Sequence, residues 1–438
     1  MQDNVFDEIV EDEIDVEKIY SFPEDLAIEK IDGKYLVIYT KGILWLVLEN
    51  DIELSIFKEL RIGKCIKEVL EEYDEKNVVN VITQIEAKKF EEPVLIENKE
   101  KNMYIYLTNN CNERCKHCYM YAGEISFEEL SIEEWKKVIS DFKNNGGNGI
   151  TFTGGEVTVY KGFEEILEYS HKLGLITTVL SNGILWDRVM IEKSSKYINE
   201  IQISIDGYDK DSYYEVRQYD GFNKALSTIK EFSKMGTRVS MAVTPLYDNI
   251  EKFILGFKEF AIKFMKEYPN VFIKLSMELL DGRQVKSSKV RNNEYREQLK
   301  SLMNNLYPNY YIETFVLNYK DLLIKKNCGF GEISIAPNGN VFWCNRIHEL
   351  ESYINIKEVA FKEILEISEK IKDVTSVENS DICSKCDIKY ICGGGCRMNY
   401  PNIKEVTVNS IKWNNKCDKE HKISLYRKMI ASNEFFYK

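Results

Sequence analysis

Three cysteines, Cys111, Cys115 and Cys118, fall within eight residues of the stretch CNERCKHCYMY. Eleven cysteines are present in all, at 65, 111, 115, 118, 328, 344, 383, 386, 392, 396 and 417, and only Cys65 stands outside a cluster. Clustered thiols either pair as disulfides in an oxidising compartment or bind metal in a reducing one. The first residues, MQDNVFDEIVEDEIDVEK, are acidic and lack the apolar run of a secretory signal. No run of eighteen apolar residues is present, so no membrane span is expected and the chain reads as cytoplasmic. The thiols therefore point to metal. Closed structural zinc sites take four ligands. On this loop His117 could serve as a fourth, but it is wedged between Cys115 and Cys118 and would have to fold back. Three thiolates on one loop suit a cubane iron–sulfur cluster, with one iron left open to bind something else. Cys65, among residues of helical period in RIGKCIKEVL, reads as a core thiol.

The elements that must hold these thiols follow from the patterning. With 438 residues, 44% hydrophobic and 30% charged, the chain has room for two or three domains around a large core. From residue 96, strands and helices alternate. MYIYLT, GITFTGG, ITTVLSNG, EIQISIDG, RVSMAVT and VFIKLSM read as strands, and SIEEWKKVISDFKN and KGFEEILEYSHKLG as helices between them. Six such units predict an α/β fold, a parallel sheet curled into a partial TIM-like (β/α)6 barrel over residues 96–325. Ligands in such folds sit at the C-terminal ends of the strands, where the glycines and polar residues of this sequence cluster. Residues 1–95 hold 24 Asp and Glu against 11 Lys and Arg, a net of −13 in a chain of −12. AIEKI, KYLVIYT and ILWLVLE read as three strands joined by turns at Asp32-Gly33 and Lys41-Gly42, followed by three helical stretches, a winged-helix-like α+β module. Its acidity excludes a nucleic-acid surface, which needs a basic face. EEPVLIENKEKN reads as a polar connection into the barrel. Residues 326–438 hold seven cysteines among short elements and turns such as APNGN and CGGGC, a small domain organised around metal rather than a large apolar core.

CxxxCxxC after the first strand of a βα repeat resembles the radical S-adenosylmethionine enzymes. Gly154, Gly155 and Glu156 in TFTGGE, Ser181 and Asn182 in VLSNG, and Ser204 and Asp206 in ISIDG follow at successive strand ends. Arg217 stands in YYEVRQYDGF. The resemblance implies that Cys111, Cys115 and Cys118 hold a 4Fe-4S cluster whose open iron chelates S-adenosylmethionine. One electron then gives methionine and a 5′-deoxyadenosyl radical. It also implies that the GGE segment holds the methionine amino group, Ser204 and Asp206 the ribose, and Arg217 the methionine carboxylate, with Ser181 and Asn182 aimed at the same end. The family usually has an aromatic residue before the third cysteine; here His117 stands there and Tyr119 follows. Tyr213, Tyr214 and Tyr219 are candidates for a substrate channel, with core the expected role for most of them.

The last seven cysteines resemble the SPASM extension of these enzymes, down to YICGGGCR at 390–397. The resemblance implies two auxiliary 4Fe-4S clusters, three clusters in all. Cys383, Cys386, Cys392 and Cys417 would complete one; Cys328, Cys344 and Cys396 would hold the other and leave an iron open. On spacing alone zinc is the alternative there. SPASM enzymes mostly modify peptides, and those that mature ribosomal peptides often carry an N-terminal module that takes a leader peptide as an added strand. Residues 1–95 resemble that recognition element in layout. The implied partners are a precursor peptide with a leader and an electron donor such as flavodoxin or ferredoxin.

An open auxiliary iron suits a substrate thiolate. The expected reaction is hydrogen abstraction from a ribosomally made peptide and a sulfur-to-carbon thioether crosslink, as in sactipeptide and ranthipeptide maturation. The alternatives are a carbon–carbon crosslinking or splicing maturase, a sulfatase-maturase-like formylglycine former (disfavoured by Asn345, where those enzymes carry aspartate), and a non-catalytic metal-binding scaffold.

Overall fold

The computed structural model describes residues 15–97, 99–124, 127–320, 322–350, 352–399 and 417–435. At the N-terminal end, β1 (Leu26–Ile31), β2 (Lys34–Tyr39) and β3 (Trp45–Leu48) form an antiparallel sheet in the order β1-β2-β3. Asp32 and Gly33 both take positive φ, 50° and 88°, as the two-residue hairpin between twisted strands requires. Helices Asp51–Arg61, Ile66–Glu72 and Glu75–Ala87 follow. Asn50 caps the first of these by accepting from the backbone N–H groups of Ile52 and Glu53. Cys65 is buried at the start of the second.

The run LVI in β2 is buried on both faces. Val37, Leu46 and Leu48 pack with the module's own helices. Leu36, Ile38, Trp45 and Val47 belong to the large core shared with the barrel. The module thus has its own small core and is also fused, through the other face of its sheet, to the main body. The connection after it is more than a linker: β4 (Ile96–Glu97) pairs in parallel with β11 (Leu323–Ile324).

The barrel sheet takes its strands from the six expected segments: β5 (Asn102–Tyr106), β6 (Gly149–Thr153), β7 (Ile176–Ser181), β8 (Glu200–Ser204), β9 (Arg238–Val243) and β10 (Val271–Leu275). Each pairs in parallel with its sequence neighbour. Two further strands, β12 (Ile333–Ile335) and β13 (Val341–Phe342), extend it to eight in the order β10-β9-β8-β7-β6-β5-β12-β13. β12 runs parallel to β5, and β13 returns antiparallel through the turn at Asn338-Gly339.

The break expected at residues 325/326 therefore does not divide the sheet. The expectation that the C-terminal part lacks a large apolar core also fails. Helix Phe361–Val374 and helix Lys419–Ser432 contribute Phe361, Ile364, Ile371, Tyr426 and Met429 to the barrel's own core. The cysteine density hid this, because the apolar residues lie on helices flanking the thiol loops.

Candidate active site

In β8 the side chains alternate: Ile201 and Ile203 are buried in the core, while Gln202 and Ser204 face a cavity. The same end of the sheet contributes Thr153 from β6, Leu180 and Ser181 from β7, Thr244 after β9 and Ser276 after β10. The cavity is about 310 Å³, and Cys111, Cys115 and Cys118 all line it, together with Gly154, Gly155, Asn182 and Arg217. The loop carrying the thiols is pinned at several points. The Lys116 N–H donates to Val216 O (2.9 Å) and that of Gln284 to Lys116 O (2.7 Å). The Arg283 guanidinium donates to Cys115 O and Ala122 O, each at 2.8 Å.

The two glycines of the GGE segment have a role the sequence did not disclose. The Gly155 N–H donates to Thr108 O (2.7 Å) and the Glu156 N–H to Asn110 O (2.9 Å). A Cβ on Gly154 would stand 2.5 Å from Thr108 O, and one on Gly155 2.2 Å from Asn110 O. The space their missing side chains free is taken by the chain that leads into Cys111. The Glu156 carboxylate is likewise engaged. It is 1% exposed and accepts from Ser181 Oγ (2.7 Å), the Asn182 N–H (2.7 Å) and Thr158 Oγ1 (2.7 Å). Burial raises its pKa above the usual carboxylate range, against the pull of these donors. Ser181 also accepts from Trp186 Nε1 (2.9 Å), and Asn182 Nδ2 donates to Asn112 of the thiol loop (2.8 Å).

Arg217, at the end of helix Lys210–Arg217, meets two carboxylates. Nη1 lies 2.7 Å from Glu113 Oε2, and Nε and Nη2 lie 2.8 and 2.7 Å from Asp206 Oδ2. Asp206 Oδ1 also accepts from the Thr244 N–H (2.6 Å), and His117 Nε2 stands 3.3 Å from Asp206 Oδ2. Burial holds the His117 imidazole below its ordinary pKa, so it is neutral at pH 7, and its buried Nδ1 has no hydrogen-bond partner among the described residues. Glu113 was not singled out from sequence, although an acid between the first two cysteines was the available signal. Tyr213 is fully buried and donates to Glu113 Oε1 (2.7 Å). Tyr214 and Tyr219 are 53% and 38% exposed, so the expected core role fails for both. At 100° per residue, Tyr214 points away from the face that Tyr213, Val216 and Arg217 bury.

A second cavity, about 460 Å³, is lined by Cys383, Cys386, Cys392, Cys396 and Cys417, with His421 Nε2 3.5 Å from Cys392 Sγ. The CGGGC loop carries three successive left-handed residues, Gly393, Gly394 and Gly395 (φ 66°, 77°, 73°), a path only glycine follows readily. Buried Arg397 braces it, donating to Gly393 O (2.9 Å), Gly395 O (2.6 Å) and Thr375 O (2.7 Å). Cys328 meets Cys396 thiol to thiol and accepts from the Arg397 N–H (3.4 Å), which together pull its pKa down to about 6. Cys344 lies close enough to Cys396 to feel its charge.

The donor sets fit iron–sulfur clusters. Burial pushes Cys111 up to about 11 and raises Cys115 as well, so these thiols need a cationic centre to act as thiolates. Among the described residues no three Cys, His, Asp or Glu side chains converge closely enough for a single metal ion. Thiols spread around a cavity suit a multi-iron cluster better than one zinc ion, whose ligands crowd within about 2.3 Å of the metal. Among the described residues no helix is long and apolar enough to cross a membrane.

Comparison with known proteins agrees with this geometry. Residues 105–255 match the family model described as the Radical SAM superfamily. The chain is 37% identical over 141 residues to the sporulation killing factor maturation protein SkfB of Bacillus subtilis, covering 32% of this chain and 34% of SkfB. It is 28% identical over 313 residues to the antilisterial bacteriocin subtilosin biosynthesis protein AlbA of the same organism, covering 66% of this chain and 65% of AlbA. The chain thus matches about a third of one relative's length and just under two thirds of the other's. In fold it is similar to anSMEcpe, solved with bound AdoMet, at a TM-score of 0.56 and 17% identity over 76% of this chain and 99% of that one. The three thiols at the open end of the parallel sheet lie inside the matched segment, and this chain carries a radical S-adenosylmethionine domain.

Proposed function

We propose that this protein is a radical S-adenosylmethionine maturase that closes a cysteine thioether crosslink in a ribosomally made precursor peptide. The observation that carries this reading is the arrangement of Cys111, Cys115 and Cys118 around one cavity at the strand ends, with a second thiol-lined cavity in the C-terminal part. Similarity to a killing-factor maturation protein and a bacteriocin biosynthesis protein supports a peptide substrate.

Cys111, Cys115 and Cys118 would hold the 4Fe-4S cluster that binds S-adenosylmethionine. When bound, the pair supplies reductive cleavage of the sulfonium and a carbon radical that removes a hydrogen atom from the peptide. Gly154, Gly155, Ser181, Asn182, Ser204 and Arg217 wall the space beside the thiols and would orient the methionine and ribose parts. Glu156 and Asp206 act from behind that wall, Glu156 by fixing Ser181 and Asn182, Asp206 by fixing Arg217. Cys383, Cys386, Cys392 and Cys417 would hold one auxiliary cluster, and Cys328, Cys344 and Cys396 a second, open toward a substrate thiol. Residues 1–95 would hold the leader, and a flavodoxin or ferredoxin would supply electrons. In the crosslink the peptide loses one hydrogen atom from carbon to 5′-deoxyadenosine, one proton from the thiol to solvent, and one electron, which the auxiliary cluster held by Cys328, Cys344 and Cys396 would accept as sulfur bonds to carbon.

The test is mass spectrometry of a cysteine-bearing ribosomal precursor peptide, sought in the reading frames neighbouring this one, after incubation with S-adenosylmethionine and a reductant. The expected product is lighter by two hydrogens and has one cysteine that iodoacetamide no longer alkylates. Loss of two hydrogens with every thiol still alkylated would overturn the thioether reading in favour of carbon–carbon linkage.

A further inference from the structure

Glu113 carries a buried carboxylate among the thiols, its side chain wholly shielded from solvent. Its Oε2 is 2.7 Å from Arg217 Nη1 and 3.7 Å from Cys115 Sγ, and its backbone N–H points at Cys111 Sγ (3.5 Å). Tyr213 OH holds the other oxygen at 2.7 Å. Arg217 is shared with Asp206, so two buried carboxylates, Glu113 and Asp206, face one guanidinium. A structural ion pair alone would need only one carboxylate for one arginine. The Glu113 carboxylate sits against a sulfur of the thiol loop, 3.7 Å from Cys115 Sγ, buried where screening by bulk solvent is weak.

We propose that Glu113 is a positioning residue that also acts electrostatically, fixing the Cys115 sulfur and keeping the reduction potential of a cluster held by Cys111, Cys115 and Cys118 low. This rests on the reading that these thiols hold an iron–sulfur cluster. The physics is direct. Reducing the cluster adds a negative charge, and a fixed carboxylate one van der Waals contact from a ligating sulfur disfavours that addition. A lower potential makes the reduced cluster a stronger one-electron donor. Tyr213 and Arg217 keep the carboxylate from swinging away, and Lys116 N–H to Val216 O ties the loop to the helix that carries both. Charge, hydrogen bonding and burial are the protein's levers on cluster potential.

The experiment is an anaerobic redox titration of the full-length reconstituted protein, followed by electron paramagnetic resonance. The relevant cluster is identified as the one whose signal changes on adding S-adenosylmethionine. Wild type, Glu113→Gln and Glu113→Asp are compared, with iron counted in each. Glu113→Gln keeps the shape and one acceptor oxygen for Arg217, turns the other position into an N–H donor toward Tyr213 OH, and removes the charge; its midpoint is expected to rise while iron content stays at the wild-type level. Glu113→Asp keeps the charge and is expected to stay close to the wild-type potential. An unchanged midpoint in Glu113→Gln at full iron content would overturn the proposal. So would equal loss of iron from both variants, which would make Glu113 a folding residue of the loop. Loss of iron from the Gln variant alone would make the charge a requirement of cluster assembly rather than of potential, and would also overturn the proposal. A wild type with no S-adenosylmethionine-responsive iron signal would instead refute the cluster reading itself.

Discussion

Gly155 sets how closely the second strand end can approach the thiol loop. A methyl group there would lie 2.2 Å from a backbone oxygen that has no freedom to move, since the same chain continues into Cys111. Gly155→Ala is expected to cost about 1–3 kcal/mol and to loosen iron binding at Cys111. Thermal melting and iron content read the two effects, and a variant with wild-type values for both would contradict the close-packing argument. Arg217 offers a second check at this scale. Its removal leaves Glu113 and Asp206 buried without a counter-charge, so Arg217→Ala is expected to destabilise the chain by about 3–5 kcal/mol. A denaturant titration measures it.

The thiols and the GGE segment were legible in the sequence because their meaning lies in local spacing. Glu113 was not, because its partner Arg217 lies 104 residues away in the chain. The true engagement of Glu156 was hidden for the same reason, its partners Ser181 and Asn182 lying 25 and 26 residues on.

At the scale of elements, helix Lys419–Ser432 joins the two ends of the chain. Lys422 pairs with Asp387 (2.7 Å), next to Cys386, while Arg427 pairs with Asp32 (2.8 Å) and Met429 O accepts from Trp45 Nε1 (3.1 Å). Just beyond the helix, Asn433 Oδ1 accepts from Lys88 Nζ (2.6 Å), which also donates to Trp45 O (2.7 Å). Burial lowers Lys88 from 10.5 to about 7. The folded chain therefore releases this proton near neutrality, while the unfolded chain keeps it up to about 10.5. Between those values the unfolded state binds more protons, so this residue's contribution to stability rises with pH and is lost as pH falls toward 7. Lys88→Met is expected to gain most over wild type near pH 7, with the gap narrowing as pH rises toward 10.5. Melting temperatures across that range check it, and a gap independent of pH contradicts it. The sequence revealed the helices and strands of the N-terminal module but not this clasp. Trp45 reads as one more strand residue until the opposite end of the chain is placed beside it.

For the whole molecule, the six parallel strands were legible because each carries its own alternation or apolar run and ends in turn residues. The two added strands were not. β12 and β13 are three and two residues long, too short for periodicity, and exist because β5 offers them an edge. The consequence is one continuous core from the module's sheet through the barrel to the C-terminal helix, with two thiol-lined cavities opening from it. The central claim is that the three thiol sets, Cys111/Cys115/Cys118, Cys383/Cys386/Cys392/Cys417 and Cys328/Cys344/Cys396, hold iron–sulfur clusters and that the first cleaves S-adenosylmethionine. The most direct measurement is iron content and 5′-deoxyadenosine formation after anaerobic reconstitution, in wild type and in the Cys111→Ala, Cys115→Ala, Cys118→Ala triple variant. Roughly twelve irons per chain in wild type and about eight in the variant, with cleavage abolished in the variant alone, is the predicted result. Zinc in place of iron, or cleavage that survives loss of the three thiols, would contradict it.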